Sequence, residues 1–199
     1  MVKKQIRWAM VIDLRKCVGC HSCSVACKAE NDVPPSVFRS WVKVIEKGKY
    51  PNVSRSFLPS LCNNCESPIC VRNCPVGASY KREDGIVMVD PHRCIGCKYC
   101  IASCPYDVRF VNPIRKIVQK CYFCHHLVDA GLAPACVETC IGRARIFGDL
   151  NDPNSDVAQL VAKHPVTVLK PEMATRPQVY YIGADLDAMD PMKGQAEEE

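Results

Sequence analysis

The chain has 199 residues, a formal net charge of +5 and 16 cysteines. Its length allows one or two domains, and no segment reaches the roughly 18 apolar residues of a membrane-spanning helix, which predicts a soluble or peripheral protein. Cysteine makes up about 8% of the chain, at the edge of the range of disulfide scaffolds, so a disulfide framework is one explanation to weigh.

The opening residues predict a short strand followed by the first cysteine group. The strand is expected over Gln5 to Asp13, and its apolar run is only five residues long, which is too short for a secretory signal. A helix predicted over Ser22 to Glu30 carries the last two cysteines of the group on one face, because they lie four residues apart. The first group is spaced C-x2-C-x2-C-x3-C and consists of Cys17, Cys20, Cys23 and Cys27.

An inserted hairpin separates the first cysteine group from the second. Phe38 to Glu46 alternates apolar and polar residues, which predicts a strand. Gly48 to Asn52 is expected to turn, and Ser56 to Pro59 to pair back. The second group, spaced C-x2-C-x4-C-x3-C, consists of Cys62, Cys65, Cys70 and Cys74.

The third group carries the clearest chemical signature. A hairpin predicted over Ser79 to Asp90, with Asp84-Gly85 as its turn, leads into it. The group, spaced C-x2-C-x2-C-x3-C and followed by Pro105, consists of Cys94, Cys97, Cys100 and Cys104. In this bacterial ferredoxin run, three close thiolates bind one iron–sulfur cube and the fourth cysteine binds another. The sequence therefore predicts iron–sulfur clusters.

The fourth group contains a longer insert. Val108 to Asn112 and Ile114 to Val118 are predicted to be short extended pieces. The insert, HHLVDAGLAPA, predicts a short helix ended by Gly131, with His125 and His126 on its surface. The group is spaced C-x2-C-x11-C-x3-C and consists of Cys121, Cys124, Cys136 and Cys140.

The remainder of the chain has no cysteine. A surface helix is predicted over Ser155 to Lys163, capped by Asn154 or Ser155, and a strand over Val166 to Leu169. Lys170 to Glu199 shows little periodicity and ends with acidic residues. This composition predicts an extended C-terminal arm that is ordered on a partner or not at all.

Disulfides and structural zinc are the alternatives to iron–sulfur clusters. Cysteines two residues apart are poorly placed to bridge each other, and zinc sites usually split their ligands into two separated pairs. Nucleic-acid binding is the usual hypothesis for a basic protein, but four oxidised cubes with their thiolates bring a charge of roughly −8. The excess of basic residues is therefore explained as compensation for the cofactors.

The repeat of the cysteine groups predicts the domain organisation. The expected fold is α+β, with two interleaved bacterial-ferredoxin-like units, each holding two [4Fe-4S] clusters among short strands, short helices and long loops. Residues 57–112 form the inner unit and residues 1–32 with 113–150 the outer unit. Residues 33–56 form the inserted hairpin, and residues 151–199 the C-terminal helix and arm. Pairing the first group with the second, and the third with the fourth, is the alternative.

Four stretches of sequence identify a family. They are CVGCHSCSVACKAEN, CNNCESPICVRNCPVGASY, DGIVMVDPHRCIGCKYCIASCPYDVRF and PACVETCIGRARIFGDL. The chain resembles the four-cluster iron–sulfur subunits of the dimethyl sulfoxide reductase family of molybdopterin oxidoreductases. Within that family it is most similar to the small subunits of polysulfide, tetrathionate and arsenate reductases. The resemblance extends over about residues 6–182.

The resemblance implies four [4Fe-4S] clusters, in which each group exchanges its fourth cysteine with its partner group. Cys97 stands where nitrate reductase subunits carry tryptophan and a three-iron cluster, which favours four complete cubes. The implied ligands are Cys17, Cys20, Cys23 and Cys140 for cluster 1, Cys121, Cys124, Cys136 and Cys27 for cluster 2, Cys62, Cys65, Cys70 and Cys104 for cluster 3, and Cys94, Cys97, Cys100 and Cys74 for cluster 4.

The resemblance also implies the function and the partners. A chain of this kind has no catalytic residues and transfers electrons between a large molybdopterin catalytic subunit, facing cluster 1, and a quinone-binding membrane anchor, facing cluster 4. Its expected place is peripheral, on the outer face of the membrane after export with a partner, with the cytoplasmic face as an alternative. The competing functions are the electron-transfer subunit of a membrane-anchored hydrogenase and a free polyferredoxin carrier.

Residues beside the ligands are predicted to tune the clusters. Nearby charge and exclusion of water both shift cluster potentials. Trp8 and Trp41 are expected in the core or at an interface. The candidate cations are Lys28, Arg72, Arg93, Lys98 and Lys120, and the apolar residues expected to exclude water are Val18, Ile69, Ile95, Ile101 and Ile141.

Overall fold

The computed structural model describes residues 6–190 of the chain. Within them, short strands and short helices alternate with long loops. The elements in chain order are β1 (Trp8–Asp13), α1 (Ser22–Glu30), β2 (Ser40–Lys49), β3 (Asn52–Leu61), α2 (Ile69–Arg72), β4 (Ser79–Lys81), β5 (Val87–Val89), α3 (Tyr99–Ala102), β6 (Arg109–Val111), β7 (Val118–Lys120), α4 (His125–Asp129), α5 (Ala135–Glu138), β8 (Arg145–Asp149), α6 (Asp156–Lys163), β9 (Val166–Thr167), a 3₁₀ turn (Pro171–Met173), β10 (Val179–Ile182) and α7 (Leu186–Met189).

The largest sheet has four strands in the order β8-β1-β10-β9. β1 runs parallel to β10 and antiparallel to β8, and β9 runs antiparallel to β10. Both faces of β1 are buried, as its continuous apolar run requires. Met10 and Ile12 pack into the main core together with cysteines, and Ala9 and Val11 pack against Val157 of α6 on the other face.

The segment expected to be an extended arm supplies β10, which corrects that expectation for residues 170–190. Val179, Tyr181 and Ile182 are buried, because the apolar run VYYI pairs with β1 along its length. The Tyr181 hydroxyl donates a hydrogen bond to the Pro59 carbonyl at 3.0 Å. Residues 191–199 of the expected arm, and Gln5 of the expected first strand, lie outside the described residues.

The β2–β3 hairpin is longer than the sequence pattern predicts. Each strand has 10 residues, and β3 extends to Leu61, past the predicted boundary between hairpin and inner unit. Near the tip, Lys47 Nζ pairs with Asp187 Oδ2 at 2.7 Å and also with Asp185. The hairpin thereby holds α7 and the end of the described chain against the body of the protein.

Two smaller hairpins precede the third and fourth cysteine groups. β4 and β5 confirm the hairpin predicted over Ser79 to Asp90. β7 lies at Val118–Lys120 rather than at Ile114–Val118, so that prediction is wrong. The reason is the Asn112 side chain, whose Oδ1 accepts hydrogen bonds from the amides of Ile114 and Arg115 at 2.9 Å and closes a turn there.

The helices that carry cysteines pack in two pairs. α1 packs on α5, and α2 packs on α3. The surface helix predicted over Ser155 to Lys163 is present as α6, but its N-cap residue, Ser155, makes no side-chain capping bond. None of the helices within residues 6–190 has the length and apolar character needed to cross a membrane.

Candidate metal centres

Three cavities in the protein are each lined by four cysteines. The empty space within them and at their openings is about 320, 290 and 340 Å³. The first of these cavities contains the cysteines that we call the fourth set, namely Cys74, Cys94, Cys97 and Cys100. The next contains the second set, namely Cys27, Cys121, Cys124 and Cys136. The last contains the third set, namely Cys62, Cys65, Cys70 and Cys104. In each of these sets, three cysteines come from one group of the sequence and the remaining cysteine comes from another group.

Cys17, Cys20, Cys23 and Cys140 line none of these three cavities, and we call them the first cysteine set. Burial raises the pKa of the Cys17 thiol, and the neighbouring thiols of Cys23 and Cys140 raise it further. These three cysteines therefore lie together. Cys20, the fourth member, is exposed, and hydrogen bonds from the hydroxyl and the amide of Ser22 lower its pKa.

The four sets follow one another through the molecule. The pKa of Cys136, in the second set, is raised by burial first and also by Cys23 of the first set. The pKa of Cys121, in the second set, is raised first by burial and then by the other thiols of its set, and Cys62 of the third set raises it further. The cavities of the third and fourth sets share Arg109 as a lining residue. The first set is thus a neighbour of the second, the second of the third, and the third of the fourth.

The loop between the first two cysteines of every group has the same backbone geometry. The residue directly before the second cysteine has a positive φ in each group: 66° at Gly19, 40° at Asn64, 68° at Gly96 and 53° at Phe123. The sequence predicts this for glycine and asparagine. It is uncommon for a bulky residue, and Phe123 is held there by burial and by edge-on packing against Phe147 at 5.3 Å.

Hydrogen-bond donors approach several of the cysteine sulfurs. The Ala144 amide lies 3.2 Å from Cys140 Sγ, and the Ser79 amide lies 3.4 Å from Cys74 Sγ. Burial acts to raise the pKa of Cys74. Hydrogen bonds from the amides of Ser79 and of the three residues before Ser79 outweigh burial and lower this pKa overall. These donors favour the thiolate form, which is the form that binds metal.

Four cations are buried beside the cysteine sets: Arg39, Arg109, Lys120 and Arg145. Sequence reasoning proposed only Lys120. The three arginines were missed, although Arg109 and Arg145 are each the fifth residue after the last cysteine of their group and each begins a strand. That shared position is the signal that could have found those two. Of the other cations proposed from the sequence, Arg72, Arg93 and Lys98 are exposed, and Lys28 Nζ lies 3.9 Å from the ring centre of Phe38.

The apolar residues expected to exclude water fall into two classes. Ile69 and Ile101 are partly buried. Val18, Ile95 and Ile141 are instead 60%, 65% and 74% exposed, although Ile95 also lines the cavity of the fourth set. Val18 and Ile141 adjoin cysteines of the first set, and Ile95 adjoins one of the fourth.

The residues around the cavities fit iron–sulfur clusters. Each cavity combines four thiols with a mostly apolar wall. Several buried donors have no partner among the protein atoms, namely Asn63 Nδ2, Arg109 Nη1, and Nε and Nη1 of Arg145. Such donors need acceptors, which the sulfurs of a bound cluster supply. Within residues 6–190, no group of three or more His, Cys, Asp or Glu side chains is arranged to hold one metal ion.

The two histidines of the fourth group lie on α4, as the sequence predicts. His126 Nε2 lies 2.7 Å from Glu30 Oε1 of α1, and His125 Nδ1 lies 3.4 Å from Asp129 Oδ2. His126 therefore connects α4 to α1, whereas the contact of His125 lies within α4.

Two family descriptions match the chain. Residues 53–150 match the 4Fe-4S dicluster domain, and residues 8–29 match the 4Fe-4S binding domain. Together these matches include all four cysteine groups.

Curated relatives match over most of the chain. A tetrathionate reductase subunit of Salmonella typhimurium is 48% identical over 96% of this chain and 78% of its own length. A selenate reductase subunit of Mesobacillus selenatarsenatis is 44% identical over 89% and 72%. The arsenate respiratory reductase iron–sulfur subunit of a Shewanella species is 36% identical over 89% and 96%. With its ferredoxin-like mixture of short helices and small strands, the chain belongs to the iron–sulfur subunits of the dimethyl sulfoxide reductase family, which carry [4Fe-4S] clusters and relay electrons.

Proposed function

We propose that this chain binds four [4Fe-4S] clusters, one in each cysteine set, and connects a molybdopterin catalytic subunit to a quinone-reactive membrane anchor. The observation that carries this proposal is the succession of neighbouring cysteine sets, each set beside the next. When bound, the clusters accept and release single electrons. The chain itself holds them in order, limits access of water and supplies the surrounding charge.

The ligand sets are part of the proposal. Cluster 1 takes the first set, and clusters 2, 3 and 4 take the cysteines of the three cavities. Three observations support the crossed arrangement. Cys27 lies with the fourth group rather than with its own, and Cys104 lies with the second group. Cys74 lies with the third group.

Two interleaved ferredoxin-like units account for the crossing. The inner unit, residues 57–112, pairs α2 with α3, and the outer unit, residues 1–32 and 113–150, pairs α1 with α5. The packing of these helices supports the division. Residues 33–56 are assigned to an inserted hairpin, and residues 151–199 to a C-terminal addition.

The two ends of the series are proposed to be the docking sites. At the first set, Val18 and Ile141 are exposed beside the exposed Cys20. At the fourth set, Ile95 and Tyr99 are exposed on either side of the exposed Cys97. Exposed apolar side chains directly beside exposed cysteines of both sets favour fixed partners over a free polyferredoxin carrier. We assign the first end to the catalytic subunit and the fourth end to the anchor.

The substrate and the location follow the relatives. Their names specify reductases of tetrathionate, selenate and arsenate, and we propose that the catalytic partner of this chain reduces tetrathionate, polysulfide, arsenate or a similar acceptor. The complex is placed at the outer face of the membrane, with the chain exported together with a partner. If the purified complex contains the catalytic chain of a hydrogenase, this chain is instead the electron-transfer subunit of a membrane-anchored hydrogenase.

The first experiment is anaerobic purification of the complex from its native cells, with metal analysis and identification of the accompanying chains. Four clusters require about sixteen iron and sixteen sulfide per chain. A molybdenum-containing catalytic chain and an integral membrane chain are expected. Iron near half that figure, or a chain that purifies alone with full iron, overturns the proposal.

A second experiment separates the two ends. The paired change Val18→Asp and Ile141→Asp is expected to release the catalytic subunit, and the pair Ile95→Asp and Tyr99→Asp to release the anchor. Iron content should be unchanged in both. Val53→Asp, at an exposed residue of the β2–β3 hairpin, is the matched control and should retain both partners. If both paired variants lose the same partner, the assignment of the two ends to different partners is wrong.

A further inference from the structure

Within residues 6–190, four buried cations form no ion pair with a carboxylate. One of them, Arg39, lines the cavity of the second set, where it packs over the Tyr122 ring and donates a hydrogen bond to Asn31 Oδ1 at 3.1 Å. The other three lie at junctions between sets. Arg109, Lys120 and Arg145 expose only 4%, 2% and 3% of their surface. Among the ion pairs formed within residues 6–190, none involves any of them. A buried charge is costly unless an opposite charge compensates it. The compensating charge must therefore come from groups other than carboxylates.

Arg109 lies between the third and fourth cysteine sets. Its side chain lines both cavities. Nη2 lies 2.8 Å from Cys70 Sγ of the third set and 3.1 Å from the Ser79 hydroxyl. Nη1 is buried without a protein partner. A guanidinium cannot lose its proton in a protein, so a permanent positive charge stands at this junction.

Arg145 has the equivalent position between the first and second sets. It follows Cys140 by five residues, as Arg109 follows Cys104, and its Nη2 donates to the Ser40 hydroxyl at 2.9 Å. Nε and Nη1 are buried without protein partners. Burial acts to lower its pKa, but the thiols of Cys136, in the second set, and Cys23, in the first, outweigh burial and raise it.

Lys120 lies between the second and third sets. Its Nζ donates to the Cys121 carbonyl at 2.7 Å, to Asn64 Oδ1 at 3.3 Å and to the Val87 carbonyl. Three oxygen acceptors match the three N–H groups of an ammonium ion. Cys121 belongs to the second set, and Asn64 lies in the loop that holds the third. The two units meet at this residue.

We propose that Arg145, Lys120 and Arg109 are three tuning cations, one at each junction of the relay, and that each stabilises negative charge on the two cysteine sets beside it. The proposal rests on the ligand sets proposed above. One-electron reduction of a bound cluster adds one negative charge and forms or breaks no bond. A fixed positive charge close by favours that reduction, because Coulomb energy rises steeply in a buried site.

The experiment is a redox titration of the loaded complex, with dithionite as the reductant and paramagnetic resonance as the readout. Arg109→Gln is expected to lower the reduction potentials of the third and fourth sets, Lys120→Met those of the second and third, and Arg145→Gln those of the first and second. At a fixed potential, the ratio of oxidised to reduced cluster in each affected set should change at least tenfold. For a one-electron couple, this change corresponds to a shift of about 59 mV in the reduction potential.

Two kinds of control separate charge from structure. Arg109→Lys and Arg145→Lys keep the charge but lose the planar fork, and they should retain potentials near those of the unchanged protein. Arg93→Gln removes a cation that adjoins Cys94 but is 70% exposed at its side chain, and should shift no potential. Iron analysis of each variant shows that its clusters are present.

The result that overturns the inference is a shift confined to one set, or an equal shift in all four. A lysine variant that holds full iron but behaves like the glutamine variant also overturns it. The resonance signals are first assigned with Cys20→Ser, Cys136→Ser, Cys65→Ser and Cys97→Ser. If these assignments contradict the four sets, the proposed function fails. If they hold and no pairwise shift appears, only the present inference fails.

Discussion

The side-chain amide of Asn31 lies 3.6 Å from Cys124 Sγ, although the two residues are 93 positions apart in the chain. The same amide lies 3.8 Å from Cys27 Sγ. Asn31 ends α1, the helix that carries Cys27 away from the loop of the first group. A single side chain thus contacts sulfurs from the first and the fourth cysteine groups.

The first prediction tests whether these two groups exchange ligands. Cys27→Ser should change the same paramagnetic signal as Cys136→Ser, because both residues line one cavity. Cys140→Ser should change the same signal as Cys20→Ser. The measurement is low-temperature resonance of the reduced complex. If Cys27→Ser and Cys20→Ser alter one common signal and leave the others intact, each group holds its own cluster.

The second prediction concerns removal of the metal. Cysteines form part of the main core, including Cys23, Cys62, Cys121 and Cys136. Without iron the thiols of Cys27 and Cys65 stay protonated at neutral pH, because burial raises the pKa of both to about 12. The core then loses its cross-links, and the far-ultraviolet dichroism of chelator-treated protein should show loss of most secondary structure. Restoring iron and sulfide anaerobically is the control, and an unchanged spectrum after chelation contradicts the prediction.

The third prediction uses two glycines with similar backbones. Gly96 and Gly77 have φ values of 68° and 63°. A Cβ at Gly96 would lie 2.6 Å from the Lys116 carbonyl oxygen, whereas a Cβ at Gly77 would meet nothing within 4 Å. Gly77→Ala should cost about 1–2 kcal/mol for the left-handed backbone alone.

Gly96→Ala should cost clearly more than Gly77→Ala, because the overlap with backbone is added to the same conformational strain. It should also reduce the iron content, since Gly96 lies between two cysteines of the fourth set. Thermal unfolding and iron analysis of both variants provide the comparison. If the two alanine variants lose equal amounts of stability and of iron, the contact with Lys116 does not contribute to either.

The fourth prediction tests the placement of β10 in the sheet. Tyr181 is fully buried and donates to the Pro59 carbonyl of β3. Tyr181→Phe should destabilise the protein by about 1–3 kcal/mol, because it leaves a buried carbonyl without its donor. Tyr180→Phe, at the adjacent and partly exposed residue, is the control and should have a smaller effect on the unfolding midpoint. A Tyr181 variant as stable as the control would argue that β10 is not packed as described.

Part of the architecture could be read from local patterns. The helix over Ser22 to Glu30 and the hairpin around Asp84-Gly85 follow from spacing and turn chemistry, and the structure contains both. β7 was placed too early, because the Asn112 side chain turns the backbone at Ile114 and Arg115. The left-handed Phe123 was not foreseen, since only packing against Phe147 holds an aromatic residue in that conformation.

The sequence by itself determined the cofactor chemistry and the family, because cysteine spacing is a local property that a cluster-binding loop dictates. Only the tertiary structure decided which elements surround the cysteines. β10 pairs with β1 across 169 residues, and Arg109 and Arg145 reach their junctions only when sets from distant groups come together. Such positions depend on long-range packing and on the compensation of buried charge. The shared spacing of Arg109 and Arg145 from their cysteines marks them in the sequence, but only the folded chain shows which sets they lie beside.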